Sequence, residues 1–282
     1  MPHSLRFRLV NVFCPQGGNK LLGNQLCVFE DGTGLTGDEM QALALQFNLS
    51  ETTFLFPPTD TVRASKRVRI FTPGTELPFA GHPTLGSSFV VHSMHGSCFT
   101  LEMDAGFIPV ETTGGDVWKL TANQAVFRAE PNLTGIAAMV HLSDSDFVSE
   151  DIPATHVNAG IEQLMVQVAS VESLMRANCT RDSMAALNNC QGVLLFVLDK
   201  VNHSITSRFF FRDSAAAFED PGTGSACANL GRLLQREGLR GDFTLEQGHV
   251  LKRLCKIGIA VGDENVQVSG RVVQVGSGVI EI

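Results

Sequence analysis

Tyrosine is absent from this chain of 282 residues, tryptophan occurs once, and no run of 18 apolar residues appears. The first absence removes the phenol as a general acid. The last removes a transmembrane helix as an expectation. Cysteine is present seven times, an odd number, and nowhere in CxxC spacing, so the thiols read as reduced side chains of a cytoplasmic protein and not as a disulfide framework. Positive charge is in deficit: 21 Lys and Arg face 29 Asp and Glu, a net charge of −8. That balance argues against a nucleic-acid partner or an anionic membrane surface. The opening MPHSLRFRLVNVF has charges scattered through it and lacks the apolar core of a signal peptide.

What remains is a chain with 44% hydrophobic residues, enough for two lobes of ordinary domain size. RFRLVNVF (6–13), QLCVF (25–29), ETTFLF (51–56) and RVRIF (67–71) read as strands, with Val68 and Ile70 on one face of the last and Arg67 and Arg69 on the other. Thr36 and Glu39 have capping-box spacing, and Met40, Leu43, Ala44 and Phe47 follow at helical intervals. A second helix is expected from Pro83 to His95, stopped by Gly96. A third is expected from Pro221 to Glu237, stopped by Gly238, with Leu230, Leu233 and Leu234 as its apolar stripe. GVLLFVL (192–198) and SRFFF (207–211) read as the strands before it. The C-terminal VQVSGRVVQVGSGVIEI reads as β structure broken by glycine turns.

The chain repeats itself. HPTLGSS at Pro83 and DPGTGSA at Pro221 align at an offset of 138 residues, placing Gly86 on Gly224 and Ser87 on Ser225. At the same offset Gln25-Leu-Cys-Val28 falls on Gln163-Leu-Met-Val166. Two matches at one offset point to an internal duplication in which strands flank a central helix. The alignment also pairs His82 with Asp220 at the N-cap of each helix.

Such helix mouths carry chemistry. The first N–H groups of a helix have no intrahelical partner and present a partial positive charge, which suits an anion. Gly81, Gly86, Gly222 and Gly224 let a ligand approach the backbone closely. Asp220 is also a favoured cap for structural reasons alone; His82 is a less usual one and titrates near neutrality. Glu51, ahead of the mostly apolar strand ETTFLF, is expected to be partly desolvated and so moved towards a general acid/base range, although Ser50 and Glu51 could simply cap a turn.

The blocks NLSETTF, FTPGTELPFAGHPTLG and EDPGTGSA, in this order over the whole chain, resemble those of the phenazine-biosynthesis isomerase-like (PhzF-like) family. GNQLCVFEDG resembles its glycine–asparagine block, with Gln25 where proline is usual, and Asn11 replaces an acid common in the first strand. The resemblance implies the diaminopimelate-epimerase fold, an α+β architecture of two pseudo-symmetric lobes, each a curved barrel-like sheet around a central helix, with the site between them. The lobes are expected at 1–122, joined by the final strand 272–282, and at 123–271. It further implies Glu51 as the principal proton carrier, Asp220 and His82 beside it, and Gly81, Gly222, Thr223, Gly224 and Ser225 binding a small carboxylate-bearing substrate. A homodimer is implied, and no metal or organic cofactor is needed.

Other readings stay open on the sequence. A two-base racemase or epimerase of an amino or hydroxy acid would use Glu51 and a second base, although the thiols of the related two-base epimerases are replaced here by His82 and Asp220. Cys227 falls inside the helix as a packing thiol. A non-catalytic scaffold could keep the fold, since fold alone does not fix function. Gly222-x-Gly224 lacks the third glycine of a dinucleotide loop, with Cys227 in its place. His92, His95 and Cys98 lack a fourth metal ligand and are split by Gly96.

Overall fold

The computed structural model describes residues 4–130, 132–148, 152–187, 190–212 and 216–282. The chain divides into two units, residues up to Thr121 together with Ser269–Ile282, and Ala122–Val268.

The first unit contains β1 (Ser4–Val12), β2 (Asn24–Phe29), α1 (Gly37–Phe47), β3 (Glu51–Phe56), β4 (Lys66–Phe71), β5 (Glu76–Leu77), α2 (Gly81–His95), β6 (Thr100–Met103), β7 (Gly106–Thr112) and β8 (Val117–Thr121). The second contains β9 (Val126–Ala129), α3 (Leu133–Met139), β10 (Thr155–Asn158), β11 (Glu162–Gln167), α4 (Val171–Arg176), β12 (Gly192–Asp199), β13 (Ser204–Arg212), β14 (Ala217–Asp220), α5 (Gly224–Arg236), β15 (Gly241–Gln247) and β16 (Cys255–Val261). A long strand, β17 (Val266–Glu281), starts in the second unit and ends in the first, where it runs antiparallel to β1.

The same pairing scheme recurs. β2 and β3 are parallel, as are β11 and β12. An antiparallel partner follows each pair, β4 and β13, and each of these then takes a parallel neighbour after the helix, β6 and β15. A parallel step needs a crossover, and α2 and α5 supply the crossovers that precede β6 and β15. This is the duplicated α+β architecture the repeat predicts.

The repeat is not uniform, which corrects the sequence alignment. β2 and β11 begin at Asn24 and Glu162 and keep the 138-residue spacing; α2 and α5 begin at Gly81 and Gly224 and do not. Gly81-His82 therefore corresponds to Gly224-Ser225. The N-caps are Ala80 and Thr223, not His82 and Asp220. His82 lies within the first turn, and Asp220 is the last residue of β14. Gly86 is also not at a mouth. A Cβ there would meet Leu26 Cδ2 at 2.5 Å and Val12 Cγ2 at 3.0 Å, so its glycine lets α2 lie against β1 and β2.

α2 is buried along its first eight residues, polar ones included. The hydroxyls are satisfied locally: Thr84 Oγ1 donates to the Ala80 carbonyl, Ser88 Oγ to that of Thr84, and Ser87 Oγ bonds Thr53 Oγ1 at 3.0 Å. Bonds back to the preceding turn allow a central helix this polar to be buried at little cost. On α5, Leu230, Leu233 and Leu234 are fully buried, as their spacing predicts. The Thr36–Glu39 capping box forms, and the α1 face packs on a phenylalanine cluster in which Phe29 and Phe54 stack at 4.7 Å.

The C-terminal glycines mark no turns, contrary to the sequence reading. β17 is continuous, with one register shift opposite Leu9/Val10, and a Cβ at Gly270 or Gly278 would collide with the ring of Phe13 or Phe7. Those glycines make room for aromatic rings. No helix of the described residues is long and apolar enough to cross a membrane.

Candidate active site

In the first unit, three loops' worth of sequence converge on His82. β2 contributes Asn24 and Gln25, the end of the turn after α1 contributes Ser50, and β3 opens with Glu51. β2 and β3 are in parallel register with Leu26 opposite Glu51, which places Glu51 beside the start of β2. His82 Nε2 lies 3.3 Å from Glu51 Oε2 and 3.3 Å from the Gln25 carbonyl oxygen. Asn24 Nδ2 lies 3.2 Å from His82 Nδ1, and Asn24 Oδ1 accepts from Ser50 Oγ at 3.0 Å.

These contacts fix a proton pattern. The Ser50 hydroxyl donates to the Asn24 carbonyl oxygen, so the Asn24 amide presents its N–H to Nδ1. Nδ1 must then be the acceptor, and the imidazole proton sits on Nε2, beside Gln25 and Glu51. Burial supports the neutral form: it pushes the His82 imidazole down to about 3, against a weaker upward pull from the Gln25 carbonyl. The Glu51 side chain is 15% exposed and His82 only 4%. A partly exposed carboxyl group thus stands beside a buried neutral imidazole of defined tautomer, with Oε2, the oxygen nearest the ring, itself buried.

In the second unit, Asp220, Gly222, Thr223, Gly224 and Ser225 come together at the start of α5. The Thr223 hydroxyl donates to Asp220 Oδ2. Gln247 Nε2 donates to the Asp220 carbonyl at 2.7 Å and to Thr223 Oγ1 at 3.1 Å, while Ser207 Oγ donates to Gln247 Oε1. Gln163 Nε2 donates to Ser225 Oγ at 3.1 Å and is itself held by Asn229 Nδ2 at 2.8 Å. In each unit an amide side chain from the first strand of the repeat grips the second residue of the central helix: Asn24 on His82, Gln163 on Ser225.

The two central helices differ from the others at their starts. Thr36, Asn132 and Ser170 cap α1, α3 and α4 with side-chain oxygens. Neither Ala80 nor Thr223 makes such a bond, and Thr223 spends its hydroxyl on Asp220. The first-turn amides of α2 and α5 are thereby left to other acceptors.

Gly81, His82 and Glu51 belong to the first unit, and the remaining predicted residues to the second. Asn24, Ser50, Gln163 and Gln247 are not expected site residues from the sequence, although Asn24 lies in the glycine–asparagine block and Gln163 in the repeat match. Cys227 is fully buried, and burial, reinforced by the negative charge of Asp220, raises its thiol far above the ordinary range, as suits packing. His92 packs edge-on against Trp118.

A family model described as phenazine biosynthesis-like protein matches residues 10–278. An uncharacterized isomerase of Pasteurella multocida is 34% identical over 96% of this chain and 92% of its own. The trans-2,3-dihydro-3-hydroxyanthranilate isomerase of Pseudomonas chlororaphis is 31% identical over 77% of this chain and 76% of its own. The solved structure of a predicted epimerase from Pseudomonas aeruginosa superposes with a TM-score of 0.82 at 30% identity, covering 98% of this chain and 99% of that one. With residues 10–278 matched and the duplicated fold in place, this chain belongs to the phenazine biosynthesis-like protein family.

Proposed function

We propose that this protein is an isomerase that relocates a proton on a small carboxylic acid by general acid/base catalysis, with Glu51 as the proton carrier and without an organic cofactor or metal at that site. The observation that carries the reading is the chain Ser50–Asn24–His82–Glu51. It costs several buried polar groups and sets a neutral imidazole N–H beside a partly exposed carboxyl group, which packing alone does not require.

In this reading Glu51 takes the proton from a carbon next to the carboxylated or unsaturated centre, and the electron pair moves into the adjoining π system. The same group returns the proton to another carbon, so the product is an isomer. His82 keeps Glu51 placed between the two transfers, and Asp220, tethered by Thr223, orients an amino or hydroxyl substituent. The uncapped first turns at Gly81-His82 and Gly224-Ser225 take carboxylate oxygens and lower the cost of charge that develops during transfer.

The test is deuterium uptake. The protein and its Glu51→Gln variant are incubated in D2O with a pool of amino, hydroxy and cyclohexadiene carboxylic acids, and masses are read. Uptake in one compound that disappears in the variant supports the proposal and names the substrate class. Uptake with inversion at a single carbon indicates an epimerase. Full uptake by Glu51→Gln removes Glu51 from the mechanism.

A further inference from the structure

Within the second unit, a further set of chemically capable side chains includes none of the residues assigned to proton transfer. His156, Glu162 and Cys190 bring an imidazole nitrogen, a carboxylate oxygen and a thiol sulfur to within 4.8 Å of one another. We propose that these three side chains bind a divalent transition-metal ion of the zinc class. The ligands are far apart in sequence and form no short motif, which is why composition and spacing do not disclose the site.

Geometry is the first support. His156 Nδ1 lies 3.7 Å from Glu162 Oε1. Ligand atoms around tetrahedral zinc, each about 2.0–2.3 Å from the metal, stand about 3.5 Å apart. Closing the sulfur onto the other two asks for side-chain rotation and not for a change of strand register.

The second support is an unsatisfied nitrogen. His156 is 5% exposed, and its Nε2 lies 3.1 Å from Glu130 Oε2. A carboxylate oxygen accepts, so Nε2 carries the ring proton and donates it to Glu130. Nδ1 is left as a buried lone pair with no hydrogen-bond partner. A carboxylate behind one ring nitrogen and an open lone pair on the other is the arrangement of a metal-ligating histidine. Were Nδ1 protonated instead, its nearest carboxylate oxygen, at 3.7 Å, would lie beyond hydrogen-bond length and leave that proton buried without an acceptor.

Glu162 is also supported from behind. Arg128 Nη2 donates to Glu162 Oε1 at 2.8 Å, orienting a carboxylate whose remaining lone pairs can face a metal. Cys190 is buried, and its thiol lies 3.3 Å from the Gly192 carbonyl. Imidazole, thiolate and carboxylate together favour a borderline-soft ion over magnesium or calcium. Three protein donors leave a fourth position for water. On binding, Cys190 coordinates as thiolate and its proton goes to solvent, so uptake releases a proton.

The site would tie four segments. Arg128 on β9 stands opposite His156 on β10, β10 pairs with β11 at Glu162, and the Gln191 amide just before β12 donates to the Glu162 carbonyl. The next residue on β11, Gln163, is the one that grips Ser225. An ion held there fastens the strand that supports the mouth of α5.

Cobalt(II) provides the test. The full chain, stripped with chelator and reduced, is titrated with Co2+ and followed by absorption. Wild-type protein is expected to take up one equivalent with a thiolate-to-cobalt charge-transfer band and the visible bands of a tetrahedral ion, all removed by added Zn2+. Cys190→Ser is expected to lose the charge-transfer band. Glu130→Gln keeps all three ligands and is expected to show the band with affinity weakened about 10–100-fold. Absence of the band in wild-type protein, its survival in Cys190→Ser, or unchanged affinity in Glu130→Gln overturns the proposal.

Discussion

His82 Nε2 stands 3.3 Å from Glu51 Oε2, and the same nitrogen is equally far from the Gln25 carbonyl. One imidazole proton thus has two oxygen neighbours, one a fixed backbone group and the other the side chain expected to exchange protons. When Glu51 is a carboxylate the contact is attractive. When it has taken a proton, the Gln25 carbonyl still holds the imidazole in place. His82 can therefore keep its tautomer through both halves of a proton relocation, which suits it to positioning and not to acting as a second base.

Asn24 sets that tautomer, and Asn24→Asp should reverse it. A carboxylate opposite Nδ1 accepts a hydrogen bond and offers none, so Nδ1 acquires a proton. Imidazole 15N shifts at neutral pH are expected to show the Nε2–H form in wild-type protein and the Nδ1–H or doubly protonated form in the variant. In the proposed reaction kcat falls about 10–100-fold, the order of effect that follows disturbance of a precisely held group, while KM changes less. An unchanged 15N spectrum in the variant refutes the assignment.

The depressed pKa of His82 has a signed consequence for stability. The folded state binds the proton only near pH 3, whereas the unfolded chain binds it near the ordinary histidine value of 6.5. Above pH 6.5 neither state is protonated and the group adds no pH dependence. As pH falls from 6.5 towards 3 the unfolded state binds more protons, and stability declines by up to about 1.4 kcal/mol per pH unit from this one residue. Urea midpoints between pH 7 and 4 should fall less steeply for His82→Asn than for wild-type protein. Parallel slopes would mean that the imidazole titrates freely in the folded state.

Much of this could be read in the sequence, for physical reasons. The 138-residue match of QLCV and QLMV landed on β2 and β11, because both strands are buried and their apolar residues are dictated by position. The Thr36–Glu39 cap and the Gly96 stop are local chemistry and formed as expected. The helix starts differ from the sequence expectation because Pro83 and Pro221 look alike as N-terminal signals, yet Pro83 is the third residue of its helix and Pro221 precedes its helix altogether. Of the polar supports, Asn24, Ser50 and Gln163 lie within the matched blocks, but Gln247 carries no local signature; an amide matters only when the fold brings it to a partner. The same holds for Arg208 and Glu219, whose burial no composition reveals.

Gly86 tests the packing account. Read as a mouth residue, it should affect ligand binding first; placed against Leu26 and Val12, it should affect folding. Gly86→Ala is expected to destabilise the protein by about 1–3 kcal/mol through overpacking, even though alanine favours helix. Thermal unfolding decides: a variant as stable as wild-type protein would show that β1 and β2 yield to the added methyl.

A buried ion pair beside Asp220 helps to hold it in place. On β13, Arg208 forms a two-pronged ion pair with Glu219 at 3.0 and 2.8 Å, and both side chains are less than a tenth exposed. Arg208 Nη1 also donates to the carbonyls of Leu174, Met175 and Ala177, closing the end of α4. Glu219 precedes Asp220 on β14, and the two stand opposite Phe210 and Phe209. Arg208→Met strands a buried carboxylate and orphans those carbonyls, so a loss of about 3–5 kcal/mol is expected. Glu219→Leu added to it removes the stranded charge and should restore part of the loss. If the single variant unfolds at the wild-type urea midpoint, the ion pair is not what fixes β14, and the position of Asp220 then rests on its other contacts, Thr223 and Gln247 among them.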